Sequence, residues 1–266
     1  MTHIAFIHSY RGGTGKSNMA ANLAATLADQ GQRVGVIDTN LQAPSLHYLF
    51  DQTELTPTFN DYLRGRCPLQ AAVHEIPNPK ASKGAGHNGV STPNGMMQTR
   101  GALWLLPASD RMNEIVYLWE NDVKRALLAR GIQEMARHFA LDFLFVDTDP
   151  GMDKQTFFAL EAANSLLMVL TPDEQDARGA AATLQVARRL EILHIFILVN
   201  KIPSTADPAA VQLEIETLCE APVAGRFLHA EEMLKHASKG IFVHRYPEHP
   251  ITIELKKVAD ALLAVA

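Results

Sequence analysis

Apolar residues fall along this chain in two alternating patterns. Short runs rich in β-branched and aromatic residues read as strands at 3–8, 33–37 (with Asp38 at the carboxyl end), 102–106, 141–147, 165–170, 192–200 and 225–228. Between them, apolar positions return every three or four residues over 16–30, 113–138, 153–163, 176–190, 209–218, 231–239 and 251–265, the spacing of one buried helix face. Strands that alternate with helices in this way predict an α/β fold, a doubly wound, mostly parallel twisted sheet flanked by helices in one domain spanning 1–266. The stretch 77–100 breaks the rhythm. It is rich in Gly, Pro, Ser and Asn and has no apolar period, so a flexible excursion is expected there.

Composition removes several function classes. With 47% hydrophobic and 20% charged residues the chain is that of an ordinary globular protein, which excludes disorder as its dominant state. At 266 residues one core can bury roughly three quarters of the unfolded surface, so no disulfide or metal staple is needed. Cys67 and Cys219 form no CxxC pair, which argues against a zinc ribbon, an iron-sulfur site or a disulfide framework and for a reducing cytoplasm. The histidines show neither HxH nor HExxH spacing, and no GxSxG elbow occurs. The start carries no leader pattern, and no run approaches the ~18 apolar residues of a membrane span. The closing ELKKVADALLAVA holds only Lys256 and Lys257 and reads as a packed domain helix, so membrane binding is not expected. The 24 Lys and Arg stand against 29 Asp and Glu, a net charge of −5 that speaks against a constitutive nucleic-acid binder.

The strongest local signal is IAFIHSYRGGTGKSN, residues 4–18. A strand leads into Gly12, Gly13, Thr14 and Gly15, then Lys16, Ser17 and Asn18 open a helix at once. Glycines let backbone N–H groups converge on one point, and a helix amino end adds about half a positive charge there, so this is a phosphate cradle. Lys16 is placed to meet β- and γ-phosphates, and the Ser17 hydroxyl to ligate Mg²⁺, which makes ATP and Mg²⁺ the expected cofactors. A second apolar strand ends in Asp147 within DFLFVDTDPGMDK, where an aspartate would hold the Mg²⁺ shell and Gly151 leaves the backbone free to follow a γ-phosphate.

The loop departs from GxxxxGK[ST] because Tyr10 replaces the first glycine. Residues 11–17, RGGTGKS, instead resemble the deviant Walker A loop, KGGxxK[ST], of the ParA/MinD ATPases. The resemblance extends over nearly the whole chain outside 77–100. It implies a P-loop ATPase that forms a homodimer in its ATP state, with a signature lysine reaching the partner's nucleotide. Arg11 takes that lysine's place, and Lys154 is a second candidate for the same contact. Arginine keeps the charge and adds a planar fork of donors suited to phosphate. The stretch VGVIDTNLQAPS resembles the family's D-x-D switch, in which Asp38 matches the first aspartate and serves the metal shell. Asn40 replaces the second, which orients or activates the attacking water. An amide holds water but is not a useful base, so weak or lost hydrolysis is expected. Asn200, at the end of a later strand, matches the family's adenine contact.

What the resemblance implies for partners is an adaptor or activator on a cargo and nonspecific DNA bound in the ATP state. Arg188, Arg189, Arg226, Lys235, Lys239, Arg245, Lys256 and Lys257 are the candidate basic face, which a dimer would double. Asn40 also suits a second reading, a regulatory scaffold that holds ATP without turning it over. A synthetase of the same superfamily would need a second small-molecule pocket for which no residues stand out.

Overall fold

The computed structural model describes residues 1–77, 101–120, 125–152, 160–236 and 239–266. In chain order the elements are β1 (His3–His8), α1 (Lys16–Asp29), β2 (Arg33–Asp38), α2 (Leu46–Leu49), α3 (Phe59–Leu63), α4 (Leu69–Ala72), β3 (His74–Ile76), β4 (Ala102–Leu106), α5 (Met112–Glu120) and α6 (Arg125–His138). They continue with β5 (Phe143–Asp147), β6 (Ser165–Leu170), α7 (Glu174–Arg189), β7 (His194–Ile202), α8 (Pro208–Cys219), β8 (Val223–Leu228), α9 (Glu231–His236), α10 (Phe242–Arg245) and α11 (Pro250–Leu263).

Alternation within the strands sets the layers. Ala5, Ile7, Val34, Val36, Phe143, Phe145, Leu167 and Val169 face one side, where they pack with α1, α10 and α11. Phe6, Ile37, Leu144, Val146, Leu166 and Met168 face the other, where α3, α4, α6, α7 and α8 cover them. The central strands are apolar on both faces and need cover on both, the condition for a parallel sheet. The sheet has eight strands in the order β3-β4-β2-β5-β1-β6-β7-β8, parallel throughout except for β3, which runs antiparallel to β4. The doubly wound, mostly parallel sheet expected from the sequence is therefore the fold found. At the far edge, the N–H groups of Val223 and Arg226 on β8 donate to the carboxylates of Glu216 (2.9 Å) and Glu254 (3.0 Å). These charged covers leave β8 a poor template for pairing with another chain.

Two of the helices start where a carboxylate N-cap was available. Asp173 accepts from Asp176 N–H at 3.0 Å ahead of α7, and Asp207 accepts from Ala209 N–H at 2.9 Å ahead of α8, whose first residue is Pro208.

The structure differs from the sequence reading where elements are short. β3, α2, α3, α4 and α10 have three to five residues each, too few for either period to show. The helix expected over 113–138 is present as α5 and α6 on either side of 121–124, which lie outside the described residues. The expected excursion at 77–100 and the helix expected at 153–163 fall largely on 78–100 and 153–159, also outside them.

Gly101, ahead of β4, lies where a Cβ would run into the carbonyl oxygen of Ala28 at the end of α1. Gly101→Ala is expected to lower stability by about 1–3 kcal/mol, as overpacking does, read from the midpoint of urea denaturation.

Candidate functional site

β1 lies at the middle of the sheet, and the chain leaves it toward β2 on one side while β6 flanks it on the other. The crevice at such a reversal, beyond the carboxyl ends of the strands, is where open α/β sheets bind ligands. The glycine loop occupies it. Gly13 and Gly15 adopt φ of 79° and 94°, a region that other residues enter at a cost. A Cβ on Gly13 would stand in open space, whereas one on Gly15 would run into the Asn200 amide. The end of β7 holds the loop from behind. Asn200 Nδ2 donates to the carbonyl of Thr14 at 2.7 Å, and Lys201 Nζ donates to that of Gly13 at 2.6 Å, with Lys201 itself at φ 57°. α1 begins at Gly15 with no side-chain cap, so no side chain competes for the N–H groups of its first turn. Gly12 through Asn18, with Asn40, Ser45 and Pro150, line a cleft of about 190 Å³.

Two carboxylates lie beneath this loop. Asp38 and Asp147 are paired residues on adjacent strands and both are fully buried. Lys16 Nζ donates to Asp147 Oδ1 at 2.7 Å, with only 7% of its side chain exposed. Asp38 accepts the N–H groups of Asn40 (3.1 Å), Ser45 (3.0 Å) and Leu46 (3.1 Å), which folds the segment after β2 around the carboxylate. Burial, and then the charge of Asp147, push the Asp38 carboxyl up to about 7 against the opposing pull of Leu46, Ser45 and Lys16. Asp147 Oδ2 and Thr14 Oγ1 are buried without a hydrogen-bond partner. Mg²⁺ is commonly held by one or two carboxylates together with phosphate oxygens and water, so Asp38 and Asp147, with the Ser17 hydroxyl at the cleft wall, fit that ion.

The second expected switch segment is joined to the front of the loop, and the first to the end of β5. Gly151, at φ 95°, donates its N–H to Ser9 O at 3.0 Å, and Thr39 N–H donates to Asp147 O at 2.9 Å. The Asn40 Oδ1 accepts Ala43 N–H at 3.1 Å, so its carbonyl side serves the local turn. Arg11 Nη1 pairs with Asp173 Oδ1 of the same chain at 2.9 Å. Lys154 lies outside the described residues. The structure thus brings Lys16, Ser17 and Asn40 to one cleft, with Asp147 bonded to Lys16 and Asp38 beside it beneath the loop, and Asn200 behind it. Sequence reading missed Lys201 and Asp173. Lys201 follows Asn200 directly, and Asp173 stands at a helix start, yet neither position announces a partner across the fold.

The candidate basic face is partly committed elsewhere. Arg188 donates to the carbonyls of Cys219 and Glu220, Lys235 pairs with Glu231, and Lys257 pairs with Glu254. α11 buries Ile251, Leu255, Val258, Ala259 and Leu262, as expected of a packed domain helix, and among the described residues no helix is long and apolar enough to cross a membrane.

The model of the CobQ/CobB/MinD/ParA nucleotide-binding domain matches residues 5–241. The chain belongs to this family. Its ParA/MinD members are ATPases, and their fold is the one described above. An uncharacterised ATP-binding protein of Methanocaldococcus jannaschii is 25% identical over 97% of this chain and 86% of its own length. An iron-sulfur cluster carrier protein of Methanococcus maripaludis is 27% identical over 73% of this chain and 58% of its own length. The septum site-determining protein MinD of Pyrococcus horikoshii, solved with Mg-ADP, superposes with a TM-score of 0.79 at 18% identity, covering 99% of this chain and 98% of that one.

A carboxyl group whose pKa is raised by folding is stabilising at low pH, and this contribution is lost as pH rises from about 4 through about 7. His3 and His47, whose pKa values burial lowers, act in the opposite direction, so the informative quantity is a difference. In nucleotide-free, metal-free protein, the stability of wild type relative to Asp38→Asn is expected to fall between pH 5 and pH 8. Chemical denaturation across that range checks this, and a constant difference would contradict it.

Proposed function

We propose that this chain is an ATP- and Mg²⁺-dependent switch of the ParA/MinD type, which pairs with a second copy around two nucleotides and positions a cargo through an adaptor. The observation that carries the reading is the buried Lys16–Asp147 pair beside Asp38, under a glycine loop that opens a helix. A buried ion pair of this kind is poor value for stability alone, which favours a functional reason for keeping it. With nucleotide bound, Lys16 would exchange Asp147 for a phosphate oxygen, and Asp147, Asp38 and Ser17 are the residues that would hold the ion. Bound ATP and Mg²⁺ supply the γ-phosphoryl group and the charge that neutralises it. The N–H groups of Gly12, Gly13, Thr14, Gly15, Lys16, Ser17 and Asn18 hold the phosphates, Asn200 offers its amide to the adenine edge, and Arg11 reaches the partner's nucleotide. Asn40 orients water without accepting its proton, which makes turnover slow.

Exposed apolar side chains beyond the strand ends support pairing. Tyr10, Tyr48, Met112, Val116 and Met152 are between 37% and 72% exposed, and they follow the carboxyl ends of β1, β2, β4 and β5. Exposed apolar side chains on segments that share one end of the sheet suit a surface that another protein covers. DNA bound nonspecifically in the ATP state is the proposed track for the cargo, with Arg189, Arg226, Lys239, Arg245 and Lys256 as the remaining cations of the basic face. That binding would place the protein on the nucleoid.

Light scattering of the full chain is expected to show a dimer with Mg²⁺ and ATP and a monomer without them, and a monomer throughout for Lys16→Ala checked to be folded. A wild-type monomer under both conditions would refute the switch. The Asn40 Oδ1 contact to Ala43 favours a second reading, a scaffold that holds ATP unhydrolysed. Restoring the carboxylate with Asn40→Asp is expected to raise phosphate release by about 10²-fold or more, the range assigned to general acid–base groups. A fast wild-type rate abolished by Lys16→Ala would remove the scaffold reading.

A further inference from the structure

The leading cation of the loop is held by its own subunit. Arg11 Nη1 lies 2.9 Å from Asp173 Oδ1, and the two side chains are 50% and 52% exposed, so the pair is open to competition from outside the chain. Asp173 is well fixed. It caps α7 through Asp176 N–H, and Asp176, fully buried, accepts from Thr171 N–H (2.8 Å) and Thr171 Oγ1 (2.9 Å) to lock the turn between β6 and α7. The neighbouring Tyr10 docks on the same helix. A Cβ at Gly179 would run into the Tyr10 ring, so a glycine within α7, where the helix would otherwise favour alanine, leaves the space that ring fills. The front of the loop therefore rests on α7 at two points, Tyr10 against Gly179 and Arg11 against Asp173.

Resting on the reading of Arg11 as a contact to the partner's nucleotide, we propose that Asp173 is a cis latch: it holds the Arg11 guanidinium in the unpaired subunit and must release it before a second copy of this chain can be engaged. Arg11 meets the carboxylate through one N–H, Nη1 to Oδ1, and a side chain held against α7 of its own subunit is not free to extend to phosphate on a second one, so the two contacts compete. Asp173 thereby sets the threshold for pairing while touching neither nucleotide nor metal, which makes it a positioning residue.

Sedimentation equilibrium of the full chain with Mg²⁺ and a slowly hydrolysed ATP analogue tests the latch. Asparagine caps a helix as well as aspartate does, so Asp173→Asn removes the charge and keeps the cap. Two exposed ion pairs are broken per dimer, so Asp173→Asn is expected to tighten pairing by roughly 2- to 30-fold. Asp173→Ser, another good cap, is expected to do the same. In an Arg11→Lys background, which keeps a cation but loses the fork, the gain should shrink, and in Arg11→Ala it should vanish. A role confined to capping would shift all three backgrounds equally, and that result would overturn the latch. So would unchanged or weaker pairing of Asp173→Asn. If Arg11→Ala pairs as tightly as wild type, the contact in trans falls and the latch with it. If Arg11→Ala is defective while Asp173→Asn is neutral, the latch alone falls.

Discussion

Two fully buried carboxylates, Asp38 and Asp147, stand side by side at the ends of adjacent parallel strands, and the site depends on how their charge is met. Parallel pairing of β2 with β5 fixes that juxtaposition, because the register that aligns Val34 with Phe143 also aligns Asp38 with Asp147. Water is excluded, so only a cation, a proton or backbone N–H groups can compensate them. All three are in use. Lys16 meets Asp147, three N–H groups meet Asp38, and the Asp38 carboxyl holds its proton far above the usual carboxylate range. One oxygen of Asp147 is still left over. An arrangement that is costly without a divalent ion and well matched to one is the physical reason this region reads as a nucleotide site.

The same constraint explains the sheet order. Lys16 must come from the helix that follows β1, so β5 has to neighbour β1, and the switch segment after β2 has to close over Asp38 from the other side. The order β2-β5-β1 meets both demands. It also places the next strand, β6, and its helix α7 beside the front of the loop, where Tyr10 and Arg11 find Gly179 and Asp173. The fold thus brings four consecutive carboxyl-end segments to one crevice without any of them being close in sequence to all the others.

How much of this was legible beforehand follows from the range of each interaction. The long strands showed because each is a continuous apolar run, and the phosphate loop showed because its glycines, Lys16 and Ser17 are contiguous. β3 pairs through three residues, too few for a periodic signal, and its pairing with β4 joins residues on either side of the irregular stretch. The pins on the loop are harder still to foresee: Lys201 acts on Gly13 across 188 positions, and Asp173 on Arg11 across 162. Asn200 drew attention only through a family pattern, and its amide turns out to hold the Thr14 carbonyl as well. The basic residues illustrate the converse. Composition counts Arg188, Lys235 and Lys257 as free charge, whereas the fold assigns each a local partner.

The loop is held unequally at its two ends, and that inequality bears on how a switch could work. At the rear, Asn200 and Lys201 fix consecutive carbonyls with bonds of 2.7 and 2.6 Å, and Gly15 is packed against the Asn200 amide. Moving this part would break several contacts together, so the cradle is preorganised and can bind phosphate without rebuilding itself. At the front, Arg11 is held by one half-exposed ion pair, the class of contact that contributes only about 0–1 kcal/mol. On the proposed reading, a competing phosphate on a second subunit would have only that to displace. If the proposed pairing holds, rigidity where a ligand is recognised and a weak tether where a partner is sensed would let one short loop serve both tasks.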